Sequence, residues 1–252
     1  AKTSRWYDHS GFAGAKVGVQ GAFGLPYRSD REVRASMAND PIVRLRSFLV
    51  STGVLTDAAA DKIVEGVRRT HDYVDVWDTV SDIFDPYSLQ FSLISHAIHF
   101  EQKAIAREHV IEAMKGRPLC ITGIGSASNL PANVTTNPGR AWNDLSSLFA
   151  AALINLNTTQ WPRSCHHRVF QTTASRALCV SDWREDAVAL YEPDREVVYY
   201  RSLDELAEIV DRFTAEPEAA RKIADAGYRR FLAHHTAAHR MAEFSSVLEK
   251  VL

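Results

Sequence analysis

The chain has 252 residues, 46% of them hydrophobic and 24% charged, with 12 glycines and 9 prolines, which is enough to bury a full core and excludes disordered, collagenous and disulfide-scaffold classes. Its 29 basic and 31 acidic residues leave a net charge of −2, which argues against a nucleic-acid partner bound along its backbone but leaves room for a local basic pocket. Cys120, Cys165 and Cys179 lack CxxC spacing, no apolar run reaches the roughly 18 residues of a membrane span, and no signal-peptide pattern opens the chain, so a cytoplasmic protein without a structural zinc is expected.

The first expected strand is Lys16 to Gly21, where apolar residues alternate with small or polar ones. Ser29 or Asp30 can cap a helix near Arg31, and helical spacing then runs to Met114. Leu45, Phe48 and Leu49 share a face, as do Ile63 and Val67, and Phe91, Ile94, Ile98, Ile105 and Ile111 continue an apolar stripe. Thr56-Asp-Ala-Ala and Asp85-Pro86 supply a start and a break.

After Lys115-Gly116 short apolar runs alternate with helical segments. Leu119 to Thr122, Leu153 to Asn157, Ala177 to Ser181 and Glu196 to Tyr200 read as strands. Arg140 to Ala151 reads as a helix capped near Asn137, and Asn133 to Pro138 reads as loop. Helices are expected around Ser164 to Ser175, Glu185 to Leu190, Ser202 to Phe213, Pro217 to Leu232 and Ala237 to Val251. This alternation predicts an α/β, Rossmann-like parallel sheet with a large helical region before the second strand. Ligands of such sheets bind beyond the carboxyl ends of the strands, so Gly21, Gly123 to Ser126, Asn157 and Ser181-Asp182 are expected to rim one crevice.

Gly123-Ile-Gly125-Ser-Ala-Ser128 has part of a dinucleotide fingerprint, but the helix that must begin inside that motif is replaced by loop-like sequence. NAD binding is therefore the lesser reading, and a glycine turn bordering a ligand the better one. His235 and His239 are spaced i, i+4 beside His234, yet no HExxH carboxylate accompanies them, and a capping or packing role is preferred over a metal. Adjacent residues on a helix point about 100 degrees apart, so Cys165 beside His166-His167 says little about nucleophilic catalysis. The more informative block is Arg163-Ser-Cys-His-His-Arg168-Val-Phe-Gln171. It opens a helix after a strand and loop, where backbone N–H groups and an arginine can hold a phosphate.

From Leu153 onward the chain carries Arg168-Val-Phe-Gln171, Ala174-Ser-Arg176, Glu196-Val-Val-Tyr-Tyr200, Asp204-Glu-Leu206, Ala224-Asp-Ala-Gly227 and His235-Thr-Ala-Ala-His-Arg240 in order. This series resembles the C-terminal half of GT-B glycosyltransferases, most closely the CgeB-like branch of the group 1 families. The resemblance implies one Rossmann-like domain over 1–252, with a helical insertion or layer at 28–115 and a nucleotide-sugar-binding core at 116–252. It implies transfer of a sugar from a nucleotide-sugar to an acceptor of unknown identity, without a metal or other cofactor. By position, Gly21, Gly123, Gly125, Asn157, Arg168, Gln171 and Asp182 would line the donor site, with Arg168 on the phosphates; no catalytic residue is assigned. Gln171 stands where the family commonly has a ribose-binding Glu, Arg163 where a carboxylate is expected, and Ser175-Arg176 where a Gly ends the helix. A complete GT-B enzyme needs two Rossmann-like domains. The expected partner is thus an N-terminal GT-B domain absent from this chain, or the region from Arg31 to Met114 takes its place. The rival expectation is a degenerate, non-catalytic interaction module.

Overall fold

The computed structural model describes residues 144–159 and 163–251, the stretches 55–69, 109–122 and 130–137, and shorter pieces between 46 and 107. The chain divides into two compact units, Ala1–Arg140 and Ala141–Leu252. In the first, α1 spans Asp57–Arg69. The Thr56 hydroxyl accepts from the Ala59 N–H at 3.2 Å, and Asp57 complements the helix dipole. Ala60, Ile63 and Val64 make its buried face. At the Asp85-Pro86 break, Asp85 Oδ1 accepts from the Tyr87 N–H at 3.0 Å, and Ser88 caps a new helical turn through the Phe91 N–H. The expected strand at Lys16 to Gly21 lies outside the described residues.

Two strands follow, β1 at Leu119–Thr122 and β2 at Val134–Asn137, paired in parallel with Leu119 opposite Val134. β2 corrects the expectation of a loop from Asn133 to Pro138. The β-branched run Val134-Thr-Thr136 suits a pleated edge. The Asn133 amide then ties the start of β2 to the turn before β1, donating to the carbonyls of Met114 at 2.9 Å and Arg117 at 2.7 Å.

The second unit runs α2 (Leu145–Ala151), β3 (Ile154–Asn157), α3 (His167–Ala174), β4 (Leu178–Asp182), α4 (Glu185–Leu190), β5 (Val198–Tyr200), α5 (Leu203–Ala215), α6 (Pro217–His234) and α7 (Ala237–Val251). The sheet is parallel in the order β3-β4-β5. The alternating pattern thus gives the Rossmann-like α/β architecture it predicts. Central β4 is buried at all five positions, as a parallel strand between two neighbours should be. α2 begins at Leu145 with Asp144 at its cap position, and Asn137, expected near that cap, instead ends β2.

α3 and α6 pack on β4, and α5 packs on β5. The Ser202 hydroxyl starts α5 by accepting from the Glu205 N–H at 3.1 Å, while the Glu205 carboxylate accepts from the Arg201 N–H at 2.6 Å. Leu206, Ile209 and Phe213 then turn one face into the core, each such side chain contributing about 1.5–3 kcal/mol. Pro217 opens α6 at a position that needs no N–H donor. Its buried stripe is small: Ala220, Ala224 and Gly227. A Cβ on Gly227 would lie 2.4 Å from the Glu196 carbonyl oxygen, so only glycine lets α6 rest on the backbone entering β5.

The C-terminus of α3 is closed by a paired set of bonds, Arg176 N–H to Thr173 O at 3.0 Å and Ala177 N–H to Thr172 O at 3.3 Å. This Schellman geometry places one residue in the left-handed region, usually glycine. Here it is Arg176, at φ 55°, held by an ion pair with Asp225 of α6 at 2.5 Å.

Two substitutions test this packing. Gly227→Ala should lower stability by about 1–3 kcal/mol in urea denaturation through overpacking, despite a gain in helix propensity of about 1 kcal/mol. Arg176→Gly should stabilise, since relieving the left-handed backbone strain outweighs the loss of a solvent-exposed ion pair; a lower urea midpoint would contradict this.

Candidate functional site

The carboxyl ends of β3 and β4 form a buried polar network. Asp182 is 2% exposed. Its Oδ1 accepts from the Thr159 N–H at 2.8 Å, the Thr159 hydroxyl at 2.7 Å and the Ser181 hydroxyl at 3.2 Å. Its Oδ2 accepts from Arg184 Nη2 at 2.7 Å and Nε at 3.0 Å. Asn157 joins by donating its amide to Ser181 Oγ at 2.8 Å, and its Oδ1 is buried without a hydrogen-bond partner. Asn157 and Asp182, two of the expected site residues, are therefore brought together through Ser181. The carboxylate of Asp182 faces inward and acts on the scaffold, bracing the loop after β3 against the loop after β4.

Arg184 and Thr159 were not singled out from sequence. The signal for Arg184 is its spacing: Asp182 ends a strand and Arg184 is extended at φ −140°, ψ 140°, so side chains two apart point the same way. The pair is 3% and 5% exposed, and losing one partner of such a pair costs about 3–5 kcal/mol.

α3 rises from the same edge. His166, 5% exposed, is its N-cap, with Nδ1 accepting from the Arg168 N–H at 3.1 Å. An accepting Nδ1 fixes the tautomer with the proton on Nε2. Arg168 in the first turn and Gln171 one turn on are both half-buried and stand i, i+3 on one helical face. That face carries a guanidinium at the positive end of the helix dipole and an amide one turn further along, groups that can bond phosphate oxygens and hydroxyls. Gly21, Gly123 and Gly125 lie outside the described residues.

Behind α3 sits an apolar cluster of Val169, Cys179, Ala187, Tyr191, Val197 and Tyr199. Burial, followed by the charges of Asp182 and Asp186, pushes the Cys165 thiol up to about 12. Burial likewise raises Cys179 far above the ordinary thiol range, so neither is a nucleophile at neutral pH. The Tyr191 and Thr173 hydroxyls share a bond at 2.9 Å, and the Tyr199 hydroxyl donates to the Ala187 carbonyl at 2.8 Å.

The histidines near the C-terminus do structural work. His235 packs against Tyr191 and Phe170, with ring centroids 4.7 and 5.5 Å away. Its Nε2 meets the Leu190 carbonyl at 3.1 Å, and Arg240 Nη2 lies 3.2 Å from Nδ1. Neutral imidazole satisfies both contacts by donating from Nε2 and accepting at Nδ1. His239 Nδ1 is 2.6 Å from the Thr236 hydroxyl. Among the described residues, no group of three or more His, Cys, Asp or Glu could hold a metal ion.

Burial holds the His235 pKa below its ordinary 6.5, and the charges of Arg240, Arg230 and His234 add to this, opposed by the Leu190 carbonyl. A depressed histidine pKa means that the unfolded state takes the proton first. The stability this site contributes is full above pH ~6.5 and is lost as pH falls through the folded value. The stability advantage of the wild type over His235→Phe, followed by urea denaturation from about pH 8 to 5, should shrink below pH ~6.5; a constant difference would refute the assignment.

No helix among the described residues is long and apolar enough to cross a membrane. Comparison with curated proteins finds no match. A protein-family model described as glycosyl transferase-like matches residues 104–246, which takes in β1 to α6 and much of α7. This span is more than half the chain and includes the Asp182 network and α3; the chain belongs to the glycosyl transferase-like family.

Proposed function

We propose that the chain is the donor-binding half of a GT-B glycosyltransferase, of CgeB-like type, which holds a nucleotide-sugar for transfer to an acceptor. The observation that carries this reading is the position of Arg168, in the first turn of a helix rising from the carboxyl edge of a parallel sheet, within a family match of 104–246. In glycosyl transfer an acceptor oxygen attacks the anomeric carbon as the bond to the terminal phosphate oxygen breaks. Negative charge grows on the departing nucleoside diphosphate. A guanidinium and the positive end of a helix dipole, set before the reaction, stabilise that charge without reorganising.

The roles divide by chemistry. His166 already takes the Arg168 N–H, so Arg168 serves the phosphates through its side chain. Gln171, an amide in place of a carboxylate, can bond a ribose diol with less strength than a charged group. Asn157 and Asp182 hold the rim, and Gly21, Gly123 and Gly125 are assigned to close approach of the backbone to the nucleotide. The second half of the site would come from an N-terminal GT-B domain or from the region before Met114.

Calorimetric titration with nucleoside diphosphates and their sugar esters tests this. Arg168→Ala should weaken binding by about 10- to 100-fold, the worth of a hydrogen bond to a charged group, with the circular dichroism spectrum unchanged. No binding by the wild type at millimolar ligand would overturn the function. Unaltered affinity in Arg168→Ala would overturn the residue's role alone.

A further inference from the structure

α7 is exposed at every position from Arg240 to Lys250, so the part of it that is held to the unit is its first turn. Two contacts are made there by one nitrogen: Arg240 Nη2 donates to the His234 carbonyl at 2.8 Å and reaches His235 Nδ1 at 3.2 Å. A guanidinium has N–H groups to give and no lone pair to accept with, so Nδ1 must be unprotonated for the second contact to be a bond. The other ring nitrogen then carries the proton and donates to the Leu190 carbonyl at 3.1 Å. The corner closes around a neutral imidazole.

We propose that the corner joining α6 to α7 is a proton-operated latch, which holds α7 to the unit while His235 is neutral and releases it when the imidazole takes a second proton. A proton on Nδ1 points at the guanidinium, which sets two donors and two positive charges 3.2 Å apart. Arg240 keeps its charge at any such pH and has Glu243 of its own helix at 2.8 Å to hold it. It therefore leaves the ring, and its bond to the His234 carbonyl, made by the same nitrogen, goes with it. The other groups around the ring do not relieve the clash. From α6, Arg230 donates to the same Leu190 carbonyl at 3.2 Å, with Glu196 3.7 Å from that Nε, and the His234 ring lies 6.2 Å away. α3 and the end of α4 present Phe170 and Tyr191, whose phenol burial keeps protonated. On α7, His239 is turned to the Thr236 hydroxyl. Burial and the neighbouring cations keep the second proton off His235 at neutral pH, so the latch is shut there and opens below pH ~6.5. The imidazolium still donates to the Leu190 carbonyl, so the break falls between His235 and α7 and leaves α3, α4 and α6 in place.

Backbone amide relaxation by NMR on the full chain, followed together with the His235 ring resonances from about pH 7.5 to 5, tests the latch, because it reports whether α7 tumbles with the unit. Amides of residues 241–250 should share the correlation time of β4 while the ring is neutral, and pass to a shorter one at the ring's own midpoint. His235→Gln, whose amide donates and accepts but does not titrate, should abolish this pH response, and His239→Gln should leave it as in the wild type. Arg240→Gln, at an exposed position that leaves the core intact, should raise the ring's midpoint by about 1 pH unit by removing one positive charge. An α7 that still tumbles with the unit once the ring is protonated overturns the proposal, as does one already loose at about pH 7.5. A response that survives His235→Gln or is lost in His239→Gln overturns it by placing the titrating group elsewhere. An unmoved midpoint in Arg240→Gln overturns it by showing that the guanidinium does not act on the ring.

Discussion

The geometry of the second unit depends on one buried carboxylate. Asp182 gathers donors from three directions: the loop after β3 through Thr159, its own strand through Ser181, and the start of α4 through Arg184. Two parallel strands are held by backbone bonds along their length, but the loops leaving their ends have no such ladder. A buried anion that needs several donors supplies one, because each missing donor would leave charge desolvated. The chain leaving β3 is tied to this anchor at Thr159. Asp182 thus fixes Thr159 after β3 and Arg184 before α4 to the same point, and its visible role is that of a brace.

The two ends of α3 are built differently. At its start a histidine replaces the usual hydroxyl or carboxylate cap, and the bond from the Arg168 N–H to His166 Nδ1 uses a donor that would otherwise be open to an anion. The start of this helix is thus partly committed to its own cap. At its close, the left-handed position is filled by Arg176, whose charge is bound to Asp225 of α6. A residue strained in its backbone is retained where its side chain ties one helix to the next. The departure of Ser175-Arg176 from the glycine of the resembled family thus gains a local physical account, and its effect falls on helix packing behind the site.

Much of this was legible in the sequence, and the reasons differ by element. β1 and the helices Glu185–Leu190 and Ala237–Val251 were readable to the residue because period and turn chemistry agree there. β2 was missed because its Thr-rich, half-exposed sequence sits among Asn and Pro and has no hydrophobic pattern of its own. Its pairing with β1 decides it, an instance of tertiary context overriding local signal. Asn157 and Asp182 are expected from their places at strand ends and Arg168 from the first turn of its helix, whereas Gln171 is expected only through the family resemblance. What sequence could not give is the direction in which a side chain points. Asp182 at a strand end suits a rim residue and an inward brace equally well, and only the donors around it distinguish the two. The polar partner Arg184 was hidden for the same reason, since an arginine at a helix start usually signals solvent.

The block from Gly227 to Arg240 shows how a motif can be structural even when it looks chemical. Gly227 lets α6 approach the Glu196 carbonyl. One further stretch of helix then brings His235 under Phe170 and Tyr191, where it bonds the carbonyl that ends α4. Arg240 closes the junction by binding the last carbonyl of α6 and the free nitrogen of that imidazole. The glycine sets the distance, the histidine fills the gap that results, and the arginine fixes the angle at which α7 departs. Each depends on the one before it, so the three residues form a single device joining α4, α6 and α7. The residues of α7 that follow are exposed from Met241 to Lys250, so this device sets where α7 starts and leaves its apolar stripe open along the outside of the unit.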